Sequence, residues 1–231
     1  MNSITDIKNA FYINLLSRPD RKQHVESQLN LLGIKAERFN AIKLPNGALG
    51  CSLSHLKCLE MAREKSWSHV LIIEDDIQFL KPTLFKNQLN LFLSNHSAWD
   101  VVLLGGNNVP PYEKIDNTCI KVSTCQTTTG YLVNGHYFST LIDNFRNGIK
   151  KLMSFPDQHR IYAIDKFWFQ LQKQDNWFLI TPLTVTQRED YSDIEKRATN
   201  YSNVMLDVDK VAFMQRQRDV STLNQLGTFN F

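Results

Sequence analysis

Three acids in a row, Glu74-Asp75-Asp76, follow the wholly apolar run Val70-Leu71-Ile72-Ile73. Such a run reads as a buried strand, and ligand sites of α/β sheets gather at the carboxyl ends of strands. Neighbouring carboxylates repel one another, and a cation among them relieves that cost. A hard divalent ion with oxygen ligands, Mg²⁺ or Mn²⁺, answers this need. The same ions bind diphosphates, so the acids could hold a nucleotide diphosphate through the metal. The bland alternative is a solvated acidic loop capping the next helix, since Asp favours helix starts. The position directly after an apolar strand favours the metal.

Two further clusters carry possible chemistry. Asn14, in the first strand candidate, is followed just beyond it by Arg18, Asp20 and Arg21. Two guanidiniums and a carboxylate there could grip a base, a ribose or a diphosphate. For Arg21 alone a surface ion pair is the better reading, and Asp20 more naturally caps a helix. In Gly50-Cys51-Ser52-Leu53-Ser54-His55, small residues and hydroxyls crowd an expected helix start, where backbone N–H groups can receive an anion. His55 lies three residues after Ser52, on the same helix face.

The elements that must position these residues alternate. Phe11-Tyr12-Ile13-Asn14-Leu15 is an opening strand, and Val25, Leu29 and Leu32 mark a helix that Gly33 stops. A second strand is expected over 34–39, a helix over 49–65, and strands over 70–73, 100–104 and 130–133. Helices follow at 137–145 and 164–174, the latter with Phe167, Trp168 and Phe169 as packed core. This alternation predicts an α/β domain with a central sheet. The chain beyond Tyr191 is polar and irregular.

The 231 residues suffice for one well-cored α/β domain. With 42% hydrophobic and 21% charged residues the composition is globular, and a net charge of +3 is far from that of a dedicated nucleic-acid binder. No basic stretch followed by an apolar run opens the chain. No segment approaches the ~18 apolar residues of a membrane span. Cys51 and Cys58, seven residues apart on one helix, sit roughly 10 Å apart, too far for a disulfide. Cys119 and Cys125 could pair only across a turn. Free thiols and a cytoplasmic location are therefore expected.

Several motifs in order resemble glycosyltransferase family 25, which includes lipopolysaccharide and procollagen galactosyltransferases. Tyr12-Ile13-Asn14-Leu15 with Arg18-Pro19-Asp20-Arg21 resembles its opening, Gly50-Cys51-Ser52-Leu53-Ser54-His55 its second motif, and Leu71 to Asp76 its acidic metal motif. Thr129-Gly130-Tyr131-Leu132 and Ile164-Asp165 are similar to later blocks. Pro182 to Ile194, with Gln187 and Ser192-Asp193-Ile194, resembles the closing block. The resemblance implies a GT-A-type, Rossmann-like α/β/α sandwich over 1–195, with a central mixed, mostly parallel sheet. Residues 196–231 would be an extension packing on it or partly flexible. It also implies inverting transfer of a hexose, galactose or glucose, from a UDP-sugar to a hydroxyl of a glycan or glycoconjugate.

Carried over by position, Asp76 and Glu74 match the outer acids of the metal motif, for Mn²⁺ or Mg²⁺. Asn14, Arg18, Ser52, Ser54, His55, Glu74, Asp75, Gly130 and Gln187 match positions expected near the donor, and Asp165 is the candidate general base. The run Thr127-Thr128-Thr129 could line the acceptor side. A nucleotidyltransferase would normally carry a glycine-rich loop after its first strand, and Leu15-Leu16-Ser17-Arg18 has none. A metal-dependent nuclease would need acids from several strands. A catalytically degenerate sugar-nucleotide or glycan-binding module is the alternative from a different class.

Overall fold

The structure, a computed structural model, describes residues 1–192 and 197–210. The first part of the chain gives β1 (Ala10–Asn14), α1 (Pro19–Leu32), β2 (Glu37–Asn40), α2 (Gly47–Glu64), β3 (His69–Glu74), β4 (Ile77–Phe79) and α3 (Pro82–Asn95). Both α1 and α3 begin on proline, whose fixed φ suits the first helical position, where no N–H is needed. Gly33, at φ 72°, closes α1 in the left-handed region, as its place after Leu32 predicts. The middle third supplies β5 (Val101–Leu103), β6 (Asn107–Asn108), β7 (Tyr112–Lys114), β8 (Cys119–Val122), β9 (Cys125–Gln126), β10 (Gly130–Asn134) and α4 (Phe138–Ser154). The last part holds α5 (His159–Tyr162), α6 (Ile164–Phe167), α7 (Phe169–Gln172), β11 (Trp177–Ile180), β12 (Val185–Gln187), β13 (Asp190–Ser192), β14 (Arg197–Thr199) and α8 (Ser202–Met205).

The main sheet has eight strands in the order β2-β1-β3-β10-β5-β11-β8-β7. β1 pairs in parallel with β2 and β3, and β5 with β11, whereas β10 runs antiparallel to both β3 and β5. β8 is antiparallel to β11 and β7. Consequently β2, β1, β3, β5, β11 and β7 share one direction against β10 and β8. This is the central mixed sheet that the resemblance implies: six of its eight strands share one direction, and of its seven pairings three are parallel and four antiparallel.

Successive residues of β3 feed opposite faces. Val70 and Ile72 pack with Leu59 and Ala62 of α2 and Leu141 and Phe145 of α4, while Leu71 and Ile73 pack with Val25 and Leu29 of α1 and Phe85 and Leu89 of α3. Burial on both faces explains why this strand is one continuous apolar run rather than an alternating one. Three layers, helix–sheet–helix, result.

Three expectations shift. The helix expected over 164–174 is broken at Trp168, whose fully buried indole donates to the Cys125 carbonyl at 2.9 Å. The segment is thus divided into the short pieces α6 and α7. Helix α2 begins at Gly47, earlier than expected, because the Asn46 side chain accepts from Leu49 N–H and caps it. Helix α3 adds an element to those expected, with Phe85, Leu89, Phe92 and Leu93 at helical spacing. Of the expected extension over 196–231, residues 197–210 are described and residues 196 and 211–231 lie outside the described residues. Its helix α8 buries Met205 against β12. Asp193 and Ile194 of the closing motif also lie outside the described residues.

Candidate active site

Strand β3 ends in the acids beside the end of β1, with Ile13 facing Glu74 in the register. The chain then turns into β4, which pairs with β12 and brings Gln187 opposite Ile77. The three carboxylates part company here. Glu74 Oε1 accepts from the Thr128 hydroxyl at 2.8 Å and faces His55 Nε2 at 3.3 Å and the Cys51 thiol at 3.6 Å. Asp75 turns the other way, accepting from Asn14 Nδ2 at 2.7 Å and Arg21 Nη1 at 3.1 Å. Among the described residues Asp76 has only longer side-chain contacts: Gln187 Nε2 at 3.4 Å from Oδ1 and Arg21 Nη1 at 3.4 Å from Oδ2. The same Gln187 amide lies 3.3 Å from Glu74 Oε2, so it bridges Glu74 and Asp76.

These surroundings separate the acids electrostatically. Burial opposes the charge of Glu74, but hydrogen bonds from His55, Thr128 and Cys51 prevail and hold it below the usual carboxylate range. Burial raises Asp75, with Asn14 and Arg21 pulling against it. Asp76 is pushed up to about 8 by burial and then by the charge of Glu74. A buried acid that resists losing its proton beside a second carboxylate is a place where a cation is welcome. Glu74 and Asp76 offer hard oxygen donors toward the cleft, and this set fits Mg²⁺ or Mn²⁺.

A cavity of about 730 Å³ opens over this strand end. Arg18, Ser52, Ser54, His55, Glu74, Asp75, Asp76, Asp165 and Gln187 all line it, so most of the residues singled out from the sequence meet at one place. Asp165 enters from α6. Its Oδ2 accepts from Thr127 N–H at 3.2 Å, and burial raises its carboxyl, with Glu74 adding to the rise. Thr127 itself sits at φ 76°, a strained value for a β-branched residue, in the segment that also aims Thr128 at Glu74.

Asn14 and Gly130 lie outside that lining. Asn14 is buried and ties Asp75 to the Arg18 carbonyl and to Arg38. Gly130 sits within the sheet, where a Cβ would stand 2.9 Å from Ile77 Cδ1. The anion site expected at the start of α2 is not formed around Ser52 to His55. The helix begins at Gly47, so these residues lie inside the helical ladder, and the Ser52 and Ser54 hydroxyls bond back to the Ala48 and Gly50 carbonyls. Gly50 instead permits close approach: a Cβ there would stand 2.4 Å from the Ile42 carbonyl oxygen.

Arg21 is more than the surface ion pair its sequence context suggests. Its side chain is 12% exposed and contacts Asp75, Asp76 and, at 3.2 Å, Asp190. Arg18 joins it at Asp190 at 2.8 Å. Nothing in a helix-start pattern reveals that a residue from the distant β13 closes the pair. Cys51 is a further site residue that its thiol chemistry alone does not mark out; the signal is its i, i+4 spacing from His55. Among the described residues, two groups of three bring potential metal-ligating atoms within 4.8 Å of one another: Cys51 with His55 and Glu74, and, remote from the cleft, His96 with Asp116 and Cys119. All four cysteines are free, as expected, and among the described residues no helix is long and apolar enough to cross a membrane.

Residues 43–168, more than half of the chain, match the profile described as glycosyltransferase family 25 (LPS biosynthesis protein). A Drosophila melanogaster relative named Glycosyltransferase 25 family member is 26% identical over 196 residues, covering 70% of this chain and 30% of its own. Procollagen galactosyltransferase 1 of Danio rerio and Inactive glycosyltransferase 25 family member 3 of Homo sapiens are each 24% identical over 191 residues, covering 68% of this chain. The chain spans about 30% of the length of these relatives. Among solved structures, a fly β-1,4-galactosyltransferase 7 in complex with manganese, UDP-Gal and xylobiose aligns with a TM-score of 0.43 and 13% identity, covering 83% of this chain and 74% of that one.

Proposed function

The chain belongs to glycosyltransferase family 25, and from that premise we propose that it transfers a hexose, galactose or glucose, from a UDP-sugar to a hydroxyl of a glycan or glycoconjugate, with inversion. The observation that carries this reading is the convergence of Glu74, Asp76 and Gln187 with Asp165 on one cleft. Glu74 and Asp76 would hold Mn²⁺ or Mg²⁺. When bound, the ion supplies Lewis-acid neutralisation of the charge that builds on the departing diphosphate.

The remaining work falls to side chains. Arg18 and Arg21 bring two guanidiniums to the strand end, and a diphosphate arriving there competes with Asp190 and Asp75 for them. Asp165 takes the proton of the acceptor hydroxyl as that oxygen attacks the anomeric carbon. Its raised proton affinity suits a general base, and the Thr127 N–H bond fixes which oxygen faces the cleft. Buried His55 and Ile164 form part of the cleft wall, and transfer requires that water, which would hydrolyse the donor, be kept from the anomeric carbon.

A relative named inactive gives specific weight to a second reading, a sugar-nucleotide binder that does not turn over. One experiment separates them: donor hydrolysis and transfer followed with UDP-galactose and UDP-glucose, with and without Mn²⁺. Metal-dependent UDP release supports the transferase. Metal-dependent binding with no UDP release under any condition supports the binder.

A further inference from the structure

Cys51, His55 and Glu74 bring a sulfur, an imidazole nitrogen and a carboxylate oxygen within 4.8 Å of one another, hydrogen-bonded to Glu74 but with a nitrogen–oxygen contact on the long side. The His55 Nε2···Glu74 Oε1 distance is 3.3 Å and the Cys51 Sγ···Glu74 Oε1 distance 3.6 Å. An N–H···O bond between such groups usually closes to ~2.7–3.2 Å. A tetrahedral zinc ion with bonds of ~2.3 Å to sulfur and ~2.0–2.1 Å to nitrogen and oxygen would hold its ligands roughly 3.6 Å (S···O) and 3.3 Å (N···O) apart. The two observed separations match two edges of that tetrahedron, and the third pair of atoms lies within 4.8 Å. We infer that Cys51, His55 and Glu74 form a binding site for a thiophilic divalent cation of the zinc type, distinct from the hard-cation position at Asp76.

The elements support this assignment. Cys51 and His55 are four residues apart on α2, so they project from one helix face, while Glu74 comes from the end of β3. The ring of His55 is fully buried and its Nδ1 lies 2.8 Å from the hydroxyl of buried Tyr131. An outer partner of this kind fixes which nitrogen faces the ion. All three ligands line the cleft, which leaves a fourth position for water or a substrate oxygen.

Glu74 divides its two oxygens: Oε1 faces the Cys–His pair and Oε2 faces Gln187 beside Asp76. Thiolate and imidazole select zinc-like ions over Mg²⁺ and Mn²⁺, which keep to oxygen donors. On binding, the S–H bond of Cys51 is replaced by an S–metal bond and one proton leaves to solvent. The site goes beyond the transferase reading; it shares Glu74 with the proposed hard-cation position, and its readout on Cys51 is separate from transfer.

The test titrates Co²⁺ into the full chain, purified free of metal in a non-thiol reductant, and reads the thiolate-to-cobalt charge-transfer absorption. The expected result is one equivalent of Co²⁺ giving that band, and one equivalent of Zn²⁺ removing it. Cys51→Ser and Cys51→Ala abolish the band, with metal-free melting and circular dichroism measured beside each, so that the loss is read on a variant that still folds. Tyr131→Phe keeps the band with Co²⁺ affinity about 10-fold weaker, the loss typical of removing an outer partner. Cys119→Ser keeps it unchanged, and so does Asp76→Ala, which separates this site from the proposed donor-binding metal. Absence of the band in the wild type, its survival in a folded Cys51 variant, or its loss in Cys119→Ser would overturn the assignment.

Discussion

At the end of the sheet where β5 begins, Asp100 accepts from Asn176 N–H at 2.8 Å and from His136 Nε2 at 2.7 Å. At the other end, where β3 stops, Asp76 has its nearest side-chain donors at 3.4 Å. Both acids flank strands of the same sheet, and both are largely buried by it. One is satisfied by short hydrogen bonds, whereas the other has, among the described residues, only long ones. Chemistry is to be sought not at acids as such, but at acids whose hydrogen bonding the protein leaves incomplete.

Asp76→Ala should have the largest effect on this contrast. Transfer should fall by about 10³-fold or more, by analogy with removing a group that stabilises transition-state charge. The metal-free protein should melt no lower than wild type, because no good bond is lost. Asp165→Asn divides the labour within the cleft: metal-dependent UDP binding persists in calorimetry while transfer drops by about 10²–10⁴-fold, the range of general base catalysis.

Asp100→Ala is the mirror image. Leaving the Asn176 N–H without its acceptor should cost about 1–3 kcal/mol in denaturant unfolding, with UDP affinity of the folded protein unchanged. The smallest effect concerns pH. His69, at the Asp100 end, is buried, and burial lowers its proton affinity; its Nε2 accepts from Lys8 N–H at 3.2 Å. The folded pKa therefore lies below the unfolded value of ~6.5, so its contribution is complete above that pH. As pH falls below ~6.5 the unfolded chain takes up the proton first and stability declines. A His69→Gln variant should show a shallower loss between pH 7 and 5 in thermal melts.

Much of the cleft is legible in the sequence because its chemistry is local. The apolar run into Glu74 announces a buried strand with acids at its end, and Gly33 announces the end of α1. What stays hidden depends on contacts between distant segments. Arg21 reads as a surface residue of a helix start until Asp190, from β13, and Asp75 close around it. The strand Gly130–Asn134 is recognisable, but its antiparallel insertion between β3 and β5 follows from topology, not from periodicity. The break falls at Trp168, whose indole reaches the Cys125 carbonyl, a long-range contact that no helical pattern encodes. Helix α3 is a different case, since its apolar spacing and its initial proline are both in plain view.

The decisive measurement is calorimetric titration of UDP into the full chain with Mn²⁺ and without it, in wild type and Asp76→Ala. Binding in the wild type should require Mn²⁺ and disappear in Asp76→Ala. Binding that is equal with and without the ion, or unchanged in Asp76→Ala, would contradict the assignment of Asp76 to the metal and of this strand end to the donor.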